Sequence, residues 1–232
     1  MNYAIIAAGE GSRLAQEGVR KPKPLVELNG EPMIGRLISI FSKLNAESIS
    51  IIVNNEMTEV REYLETLKDK YPLNIVVKST PSSMHSFYEL SKIMKSGKFC
   101  LTTVDTIFKA GDFARYIQAF EADSEYDGMM AVTPFIDDEK PLYVETDDDL
   151  NIKAFRDERW DGVKFISGGI YALNDKAFKV LEECINGGVS RMRNFQRALV
   201  ASGMKLKAYP IEKIIDVDHA GDIPVAEEFI KE

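Results

Sequence analysis

Two glycines and an arginine follow an apolar segment near the start of the chain. The segment reads AIIAAGEGSRL over residues 4–14, so Gly9 and Gly11 stand where a buried strand is expected to end. Glycine adopts positive φ and lets a ligand approach the backbone closely. Backbone N–H groups in such a loop form an anion-binding concavity, to which Ser12 and Arg13 add a hydroxyl and a fixed positive charge. The loop is a candidate phosphate site, although G-x-G alone is also typical of an ordinary tight turn.

More cations follow this loop in a proline-containing segment. Arg20, Lys21 and Lys23 are interrupted by Pro22 and followed by Pro24. The prolines predict an extended rather than helical backbone, which presents the cations at fixed positions. A solvated basic loop would have the same composition. In a chain with a formal net charge of −8, this concentration of cations beside a glycine loop favours a polyphosphate ligand.

Carboxylates occur where two later strands are expected to end. Asp105 follows the apolar run of a predicted parallel strand, and the carboxyl ends of such strands border the ligand crevice of an open sheet. A turn-capping role is the alternative for this residue. Asp216 and Asp218 are two residues apart on an extended segment near the C-terminus, so they share one side of that strand.

The elements that must position these residues are predicted from hydrophobic periodicity. Apolar runs rich in β-branched residues alternate with stretches of helical spacing over the first hundred residues, which indicates crossover units on a largely parallel sheet. The predicted strands are YAIIAA, SISIIVN, NIVVKS and KFCLTTV, and the predicted helices span residues 33–43, 57–68 and 83–95.

The second half of the chain has a different pattern of predicted strands and helices. After a helix at 112–121, four strand-like runs arrive with few helical residues between them, which predicts a mixed or antiparallel part of the sheet. Two helices, two short strands and a last helix from about residue 221 follow. No linker composition separates the halves. We therefore expect one domain over residues 1–232, with a nucleotide-binding half (1–110) and an acceptor-binding half carrying the C-terminal aspartates (111–232).

Composition excludes several classes of protein. With 45% hydrophobic residues in 232, the chain can bury a substantial core, so Cys100 and Cys184 are expected to be free thiols in a reducing cytoplasm. The N-terminus lacks a signal-peptide pattern and no apolar run approaches a membrane span. The net charge of −8 disfavours nucleic-acid and anionic membrane partners, and a homo-oligomer is compatible with the composition.

The N-terminal motifs resemble those of the sugar-phosphate nucleotidylyltransferases. AIIAAGEGSRL followed by KPKPLVELNGEPMI is similar to that family's G-x-G-[ST]-R loop and P-K-P-L segment. The resemblance implies a three-layer α/β/α fold of the Rossmann-like nucleotide-diphosphosugar transferase type, with a central mixed, mainly parallel sheet. It also implies that Lys23 is an essential lysine on the α-phosphate side. The implied nucleotide-binding residues are Ala7, Ala8, Gly9, Gly11, Ser12, Arg13, Lys23 and Ser86, with catalytic roles for Arg13 and Lys23.

The same resemblance implies a magnesium site. LTTVDTIF is similar to the family's L-x-G-D-x-x-F segment, which makes Asp105 a metal ligand, although Val104 replaces the usual glycine. The C-terminal IIDVDHAGDIPVAEEFI resembles the family's closing strand and helix, in which one of two aspartates binds the metal. We rank Asp218 slightly ahead of Asp216. Two aspartates supply hard oxygen ligands of the kind that Mg²⁺ prefers.

The acceptor side matches the family less closely. SGGIYAL resembles an acceptor-side strand in which Gly169 would approach a sugar, and a structural bulge would explain the glycine equally well. FRDERWDG stands where many relatives have E-K-P, so Arg156 and Glu158 are weak acceptor-binding candidates. Because the lysine of E-K-P is missing here, a phosphocholine-like acceptor is an alternative to a sugar phosphate. Ser86 lies where relatives contact base and ribose, but its serine-rich segment is expected mainly to cap the third helix.

These observations predict a Mg²⁺-dependent nucleotidyltransferase. It would use a nucleoside triphosphate and a sugar phosphate or similar small phosphorylated acceptor, and would release an NDP-sugar-type product and pyrophosphate. One alternative is a cytidylyltransferase for phosphocholine or another alcohol phosphate. A second is a catalytically silent nucleotide-sensing module that has kept the fold.

Overall fold

Strands and helices alternate along the chain in the computed structural model, which describes residues 1–135 and 140–231. The strands are β1 (Asn2–Ala7), β2 (Glu27–Leu28), β3 (Glu31–Pro32), β4 (Ser48–Val53), β5 (Leu73–Val77), β6 (Phe99–Thr103), β7 (Thr106–Ile107), β8 (Gly128–Thr133), β9 (Tyr143–Thr146), β10 (Ile152–Arg156), β11 (Phe165–Leu173), β12 (Leu206–Pro210) and β13 (Ile215–Asp216). The helices are α1 (Ser12–Gln16), α2 (Met33–Lys43), α3 (Thr58–Glu65), α4 (Ser83–Ser91), α5 (Ala110–Ala122), α6 (Lys176–Asn186), α7 (Met192–Ala201) and α8 (Asp222–Lys231).

A nine-stranded mixed sheet forms the centre of the fold. Its main path runs β10-β9-β11-β6-β1-β4-β5, and β8 pairs with β11 and β12 off this path. The β6-β1-β4-β5 part is parallel, whereas β11 pairs antiparallel with β6, β8 and β9. Helices cover both faces of this sheet. The predicted three-layer α/β/α fold with a mixed, mainly parallel sheet is confirmed.

The central strand β1 shows why the sequence forms this sheet. All six of its residues are buried, as is typical of a parallel strand covered on both faces. Successive side chains alternate between the faces: Tyr3 and Ile5 pack in the cluster with α2, α3, α5 and α8, whereas Ala4 and Ile6 pack in the cluster with α4, α6 and α7. Tyr3 also stacks on Phe41 of α2, with ring centroids 4.4 Å apart.

One local prediction is wrong. The segment expected to be extended contains a short 3-10 helix over Lys23–Leu25, closed by a hydrogen bond from the Leu25 N–H to the Pro22 carbonyl (2.8 Å). Pro22 itself is extended, with φ −53° and ψ 140°. Pro24 fits the 3-10 helix because an N–H in a first helical turn has no intrahelical acceptor, so its absence costs nothing there.

Both cysteines are buried and free, which confirms the prediction of free thiols. In the described part of the chain, every helix is too short or too polar to cross a bilayer.

Candidate active site

The glycine loop packs directly against the segment that carries Lys23. Gly11 has φ +63° and precedes α1, and a Cβ on it would lie 2.9 Å from the Cβ of Lys23. A side chain at this position would therefore be strained and would also push Lys23 away. The loop and the lysine segment occupy neighbouring positions because residue 11 is glycine.

We expect Gly11→Ala to lower the free energy of unfolding by roughly 1–3 kcal/mol, because alanine would have to hold a left-handed backbone. Chemical denaturation measures this loss. The matched control is Gly9→Ala, since a Cβ at Gly9 would meet none of the described atoms within 4 Å. Equal unfolding free energies for the two variants would contradict the packing role of Gly11.

Lys23 lies between two carboxylates. Its ammonium contacts Asp105 Oδ2 and lies 2.7 Å from Asp218 Oδ1, and its side chain is only 10% exposed. Arg13 Nη1 lies 3.1 Å from Asp218 Oδ2. The structure thus brings together four predicted site residues from both ends of the chain.

The charges of this cluster support each other. Desolvation alone would lower the pKa of Lys23, but the charges and hydrogen bonds of Asp105 and Asp218 outweigh it and raise that pKa. Burial would raise the pKa of Asp218, but the hydrogen bond from Lys23 and the nearby positive charges lower it overall. Lys23 and Asp218 are therefore both charged at neutral pH.

Two short strands bring the aspartates together. Asp105 is the second residue after β6, and β7 immediately after it pairs antiparallel with β13, which places Thr106 opposite Asp216. The Val217 N–H also donates to the Asp105 carbonyl (3.1 Å). This pairing places Asp218, the second residue after β13, beside Asp105.

The first turn of α8 holds the Asp218 backbone in place. Asp222 Oδ2 accepts hydrogen bonds from the N–H groups of Asp218 (2.9 Å) and His219 (2.6 Å). Glu17 accepts the Ala220 N–H (2.6 Å), and its other oxygen lies 2.6 Å from His219 Nδ1. That contact with Glu17 raises the pKa of His219. The backbone on both sides of Asp218 is therefore tied to neighbouring segments.

Most of the predicted nucleotide-binding residues line a single cavity of about 1080 Å³. Its walls include Ala8, Gly9, Gly11, Ser12, Arg13, Lys23, Ser86, Asp105 and Asp218. Ala7 is buried behind this wall, at the end of β1. This volume is slightly above the range of about 300–1,000 Å³ that is typical of small-molecule sites, so the cavity has room for a small molecule.

Ser86 does not cap a helix. It is 2% exposed, lies inside α4, and its hydroxyl is 2.6 Å from Thr80 Oγ1. Ser82 occupies the N-cap position of α4 but makes no side-chain cap hydrogen bond, since its hydroxyl lies 2.9 Å from His85 Nδ1 instead. The serine cluster thus supplies the N-cap residue as predicted, at Ser82, but not the expected side-chain capping bond, because the Ser82 and Ser86 hydroxyls lie against neighbouring side chains.

The donor set of Asp105 and Asp218 fits a hard divalent cation. Their carboxylates converge on one cationic group, the Lys23 ammonium. Among the described residues, no cluster of three or more His, Cys, Asp or Glu side chains is arranged to hold a metal. Two carboxylates still suit Mg²⁺, which usually keeps several waters and binds substrate phosphates. Asp216 is exposed on β13 and is absent from the cavity wall, so the geometry favours Asp218.

Gly169 lies in an irregular part of β11. It has φ +73°, and the register between β11 and β8 shifts between Ser167 and Tyr171. A Cβ on Gly169 would lie 3.1 Å from Thr106 Oγ1. The bulge expected as one explanation of this glycine is therefore present, and its contact with an acceptor stays a prediction.

Arg156 and Glu158 lie away from the main cavity. Both line a separate depression with Glu145 and Trp160, at the sheet edge formed by β9 and β10. The Arg156 guanidinium binds Glu145 Oε2 through Nε (2.7 Å) and Nη2 (2.6 Å) and lies 5.8 Å from the Trp160 ring centroid. The structure does not bring these residues to the glycine loop, and their role in acceptor binding stays a prediction.

Sequence reasoning missed several polar residues of the cavity wall, among them Asn54. Asn54 follows β4, is 6% exposed, and donates from Nδ2 to the Ala8 carbonyl (3.2 Å). It therefore fixes the backbone where the glycine loop begins. The available signal was a polar side chain at the carboxyl end of the strand next to β1.

Comparisons with known proteins agree with this geometry. Residues 3–165 match the model of the MobA-like NTP transferase domain. A 2-aminoethylphosphonate cytidylyltransferase from Lancefieldella rimae is 29% identical over 110 residues, covering 46% of this chain and 43% of that protein. A choline-phosphate cytidylyltransferase from Streptococcus pneumoniae is 32% identical over 90 residues, covering 39% and 38%. The matches thus span less than half the length of these two relatives.

Solved structures show the same fold. The inositol-1-phosphate CTP transferase from T. maritima superposes with a TM-score of 0.82 at 19% identity, covering 100% of this chain and 96% of that one. A Bacillus anthracis protein described as a glucose-1-phosphate thymidylyltransferase gives a TM-score of 0.85 at 17% identity, with the same coverage. The predicted resemblance to nucleotidylyltransferases is confirmed.

Proposed function

Because the chain belongs to the MobA-like NTP transferase domain family, we propose that it transfers a nucleotidyl group from a nucleoside triphosphate to a small phosphorylated acceptor and releases pyrophosphate. One observation carries the proposal: the glycine loop, Arg13, Lys23, Asp105 and Asp218 surround a single cavity. Their combination provides positive charge for phosphates and carboxylates for a metal. A silent binding module would not need this full set.

The charge of the cavity wall supports binding of the triphosphate as a metal complex. The wall carries four cations and five carboxylates: Arg13, Arg20, Lys21 and Lys23, and Glu10, Glu56, Glu59, Asp105 and Asp218. A free triphosphate, with about four negative charges, would be repelled by those carboxylates. Asp105 and Asp218 would hold Mg²⁺, with Asp216 as the alternative to Asp218. The ion would neutralise phosphate charge.

The protein's own residues then bind and orient the substrates. The glycine loop offers backbone N–H groups to the leaving pyrophosphate, and Arg13 and Lys23 stabilise negative charge that develops around the α-phosphate. An acceptor phosphate oxygen attacks the α-phosphorus in line. A new P–O bond forms there as the bond to the β-phosphate oxygen breaks. No protein nucleophile is required.

CTP is the donor that the relatives favour. The L. rimae, S. pneumoniae and T. maritima proteins are all named as cytidylyl or CTP transferases. Their named acceptors are a phosphonate, choline phosphate and inositol phosphate. An alcohol phosphate or phosphonate acceptor is therefore our second candidate beside a sugar phosphate. The free, buried thiols of Cys100 and Cys184 support placing this enzyme in the cytoplasm.

A pyrophosphate-release assay tests the proposed function. Each of the four common nucleoside triphosphates is combined with sugar phosphates, choline phosphate, inositol 1-phosphate and 2-aminoethylphosphonate, with and without Mg²⁺. We expect Mg²⁺-dependent release from CTP with at least one acceptor. Triphosphate binding without turnover across the panel would favour the silent module, and the absence of both binding and turnover would overturn the proposed site.

A further inference from the structure

A second, strongly basic cavity lies apart from the cavity lined by Gly11, Lys23 and Asp105, which is the proposed nucleotide cavity. It has a volume of about 850 Å³, lies among α2, the start of α5 and the end of α8, and shares no described lining residue with the nucleotide cavity. Its charged lining residues are five cations, Arg36, Lys43, Lys109, Arg115 and Lys231, and two carboxylates, Glu31 and Asp112. This excess of three positive charges stands out in a chain with a net charge of −8. The local charge indicates an anionic ligand.

Arg36 is buried, and one nitrogen of its guanidinium has no hydrogen-bond partner among the described residues. It lines the basic cavity but is only 8% exposed. Its Nη2 donates to the Phe108 carbonyl, whereas Nη1 is buried and has no hydrogen-bond partner among the described residues. No described carboxylate forms an ion pair with it. A buried cation without a bonded anion is unfavourable, so a negative charge in the adjacent cavity would stabilise it.

Burial disfavours the charged form of this guanidinium. It lowers the pKa of Arg36, and the charge of Glu31 only partly opposes this effect. The guanidinium carbon also lies 5.6 Å from the centroid of the Phe108 ring, which gives the cation a weak aromatic contact in place of a carboxylate.

The start of α5 and Lys43 can contact an anion in this cavity directly. Ala110 and Gly111 begin this 13-residue helix and line the cavity, and the N-cap position before them has no side-chain cap hydrogen bond. First-turn N–H groups lack acceptors within the helix and favour negative charge. Lys43 is exposed in the last turn of α2 and forms no ion pair with any described residue. Arg115 and Lys231, in contrast, are paired with Asp112 and Glu228.

We propose that the basic cavity binds the phosphate group of a small molecule. A phosphate carries up to two negative charges, which matches the local charge excess better than one carboxylate does. Its oxygens would accept hydrogen bonds from the Ala110 and Gly111 N–H groups and from Lys43. Its charge would compensate Arg36 at the back of the cavity. The site is independent of the nucleotide cavity and does not rest on the proposed activity.

Phosphate titration followed by amide NMR tests this site without an assay of turnover. With inorganic phosphate, we expect saturable shifts of the Ala110 and Gly111 amide signals in the wild-type protein. Lys43→Glu should weaken that binding at least about tenfold, because it reverses the charge of an exposed cation in the cavity lining. Lys179→Glu is the matched control, since Lys179 is an exposed helical lysine on α6 and the change in net charge is identical.

A second variant separates binding from stability. Arg36→Met should weaken phosphate binding at the same amides, with thermal unfolding used to verify that the variant is folded. A parallel titration with a simple phosphomonoester distinguishes free phosphate from a phosphorylated metabolite by which of the two binds more tightly. The proposal is overturned if neither compound shifts Gly111 saturably, or if Lys43→Glu and Lys179→Glu bind equally well.

Discussion

Asp105→Ala should abolish Mg²⁺-dependent pyrophosphate release, with a loss of about a thousandfold or more, while the protein stays folded. Asp105 is the second residue after β6, and its carboxylate is in contact with the Lys23 ammonium. The change removes one of the two carboxylates that would hold the metal. It also removes one of the two partners that keep Lys23 in place. Both effects would impair the chemical step at the phosphates. The fold should be kept, because β6 retains its pairing with β1 and β11.

Pyrophosphate release at several Mg²⁺ concentrations measures this effect, with thermal unfolding as the check on the fold. Asp149→Ala is the matched control, because Asp149 is exposed in the turn between β9 and β10. Full activity of the Asp105 variant would remove the metal-binding assignment.

Lys23→Ala should lower the turnover rate far more than it lowers the thermal stability. The change deletes the cation between Asp105 and Asp218 and leaves two carboxylates facing one another. Because like charges at close range repel, this variant should gain more thermal stability from added Mg²⁺ than the wild-type protein, in which the ammonium already balances both carboxylates. The comparison of melting temperatures with and without Mg²⁺ therefore tests the metal site apart from catalysis.

Lys21→Ala serves as the control for that comparison. Lys21 belongs to the same segment, but its ion pair with Glu27 (2.6 Å) is largely exposed. Its melting temperature should respond to Mg²⁺ as the wild-type protein does. A Lys23 variant that is unfolded at every Mg²⁺ concentration would instead indicate a structural role for this lysine.

The sheet could be predicted from sequence because its strands carry a strong local signal. β1 and β4 are mainly apolar, contain several isoleucines and are fully buried, and amphipathic helices such as α2 lie between the strands. The weaker local signals around Pro22 and Pro24 gave the wrong result, since a proline restricts its own φ without excluding a 3-10 helix.

The residues of the site could be named from motifs, but their geometry could not. Motif spacing does not indicate that Lys23 binds both aspartates, because the contact with Asp218 joins residues 195 positions apart. It arises only when β13 pairs with β7. For Arg156, the motif position suggested a place near the acceptor, whereas the β9 and β10 strands carry it to a separate depression. Such placements depend on tertiary structure that local pattern does not encode.

The separation of the charge cluster along the chain has a consequence for biosynthesis. Arg13 and Asp218, which pair at 3.1 Å, are 205 positions apart. Since the ribosome adds residues from the N-terminus, the glycine loop is made early and β13 is made late. A nascent chain can begin to form β1, β4 and β6 while Lys23 still lacks Asp218. The glycine loop is therefore synthesised long before the rest of this charge cluster, and a translation product that stops before Asp218 cannot assemble the cluster.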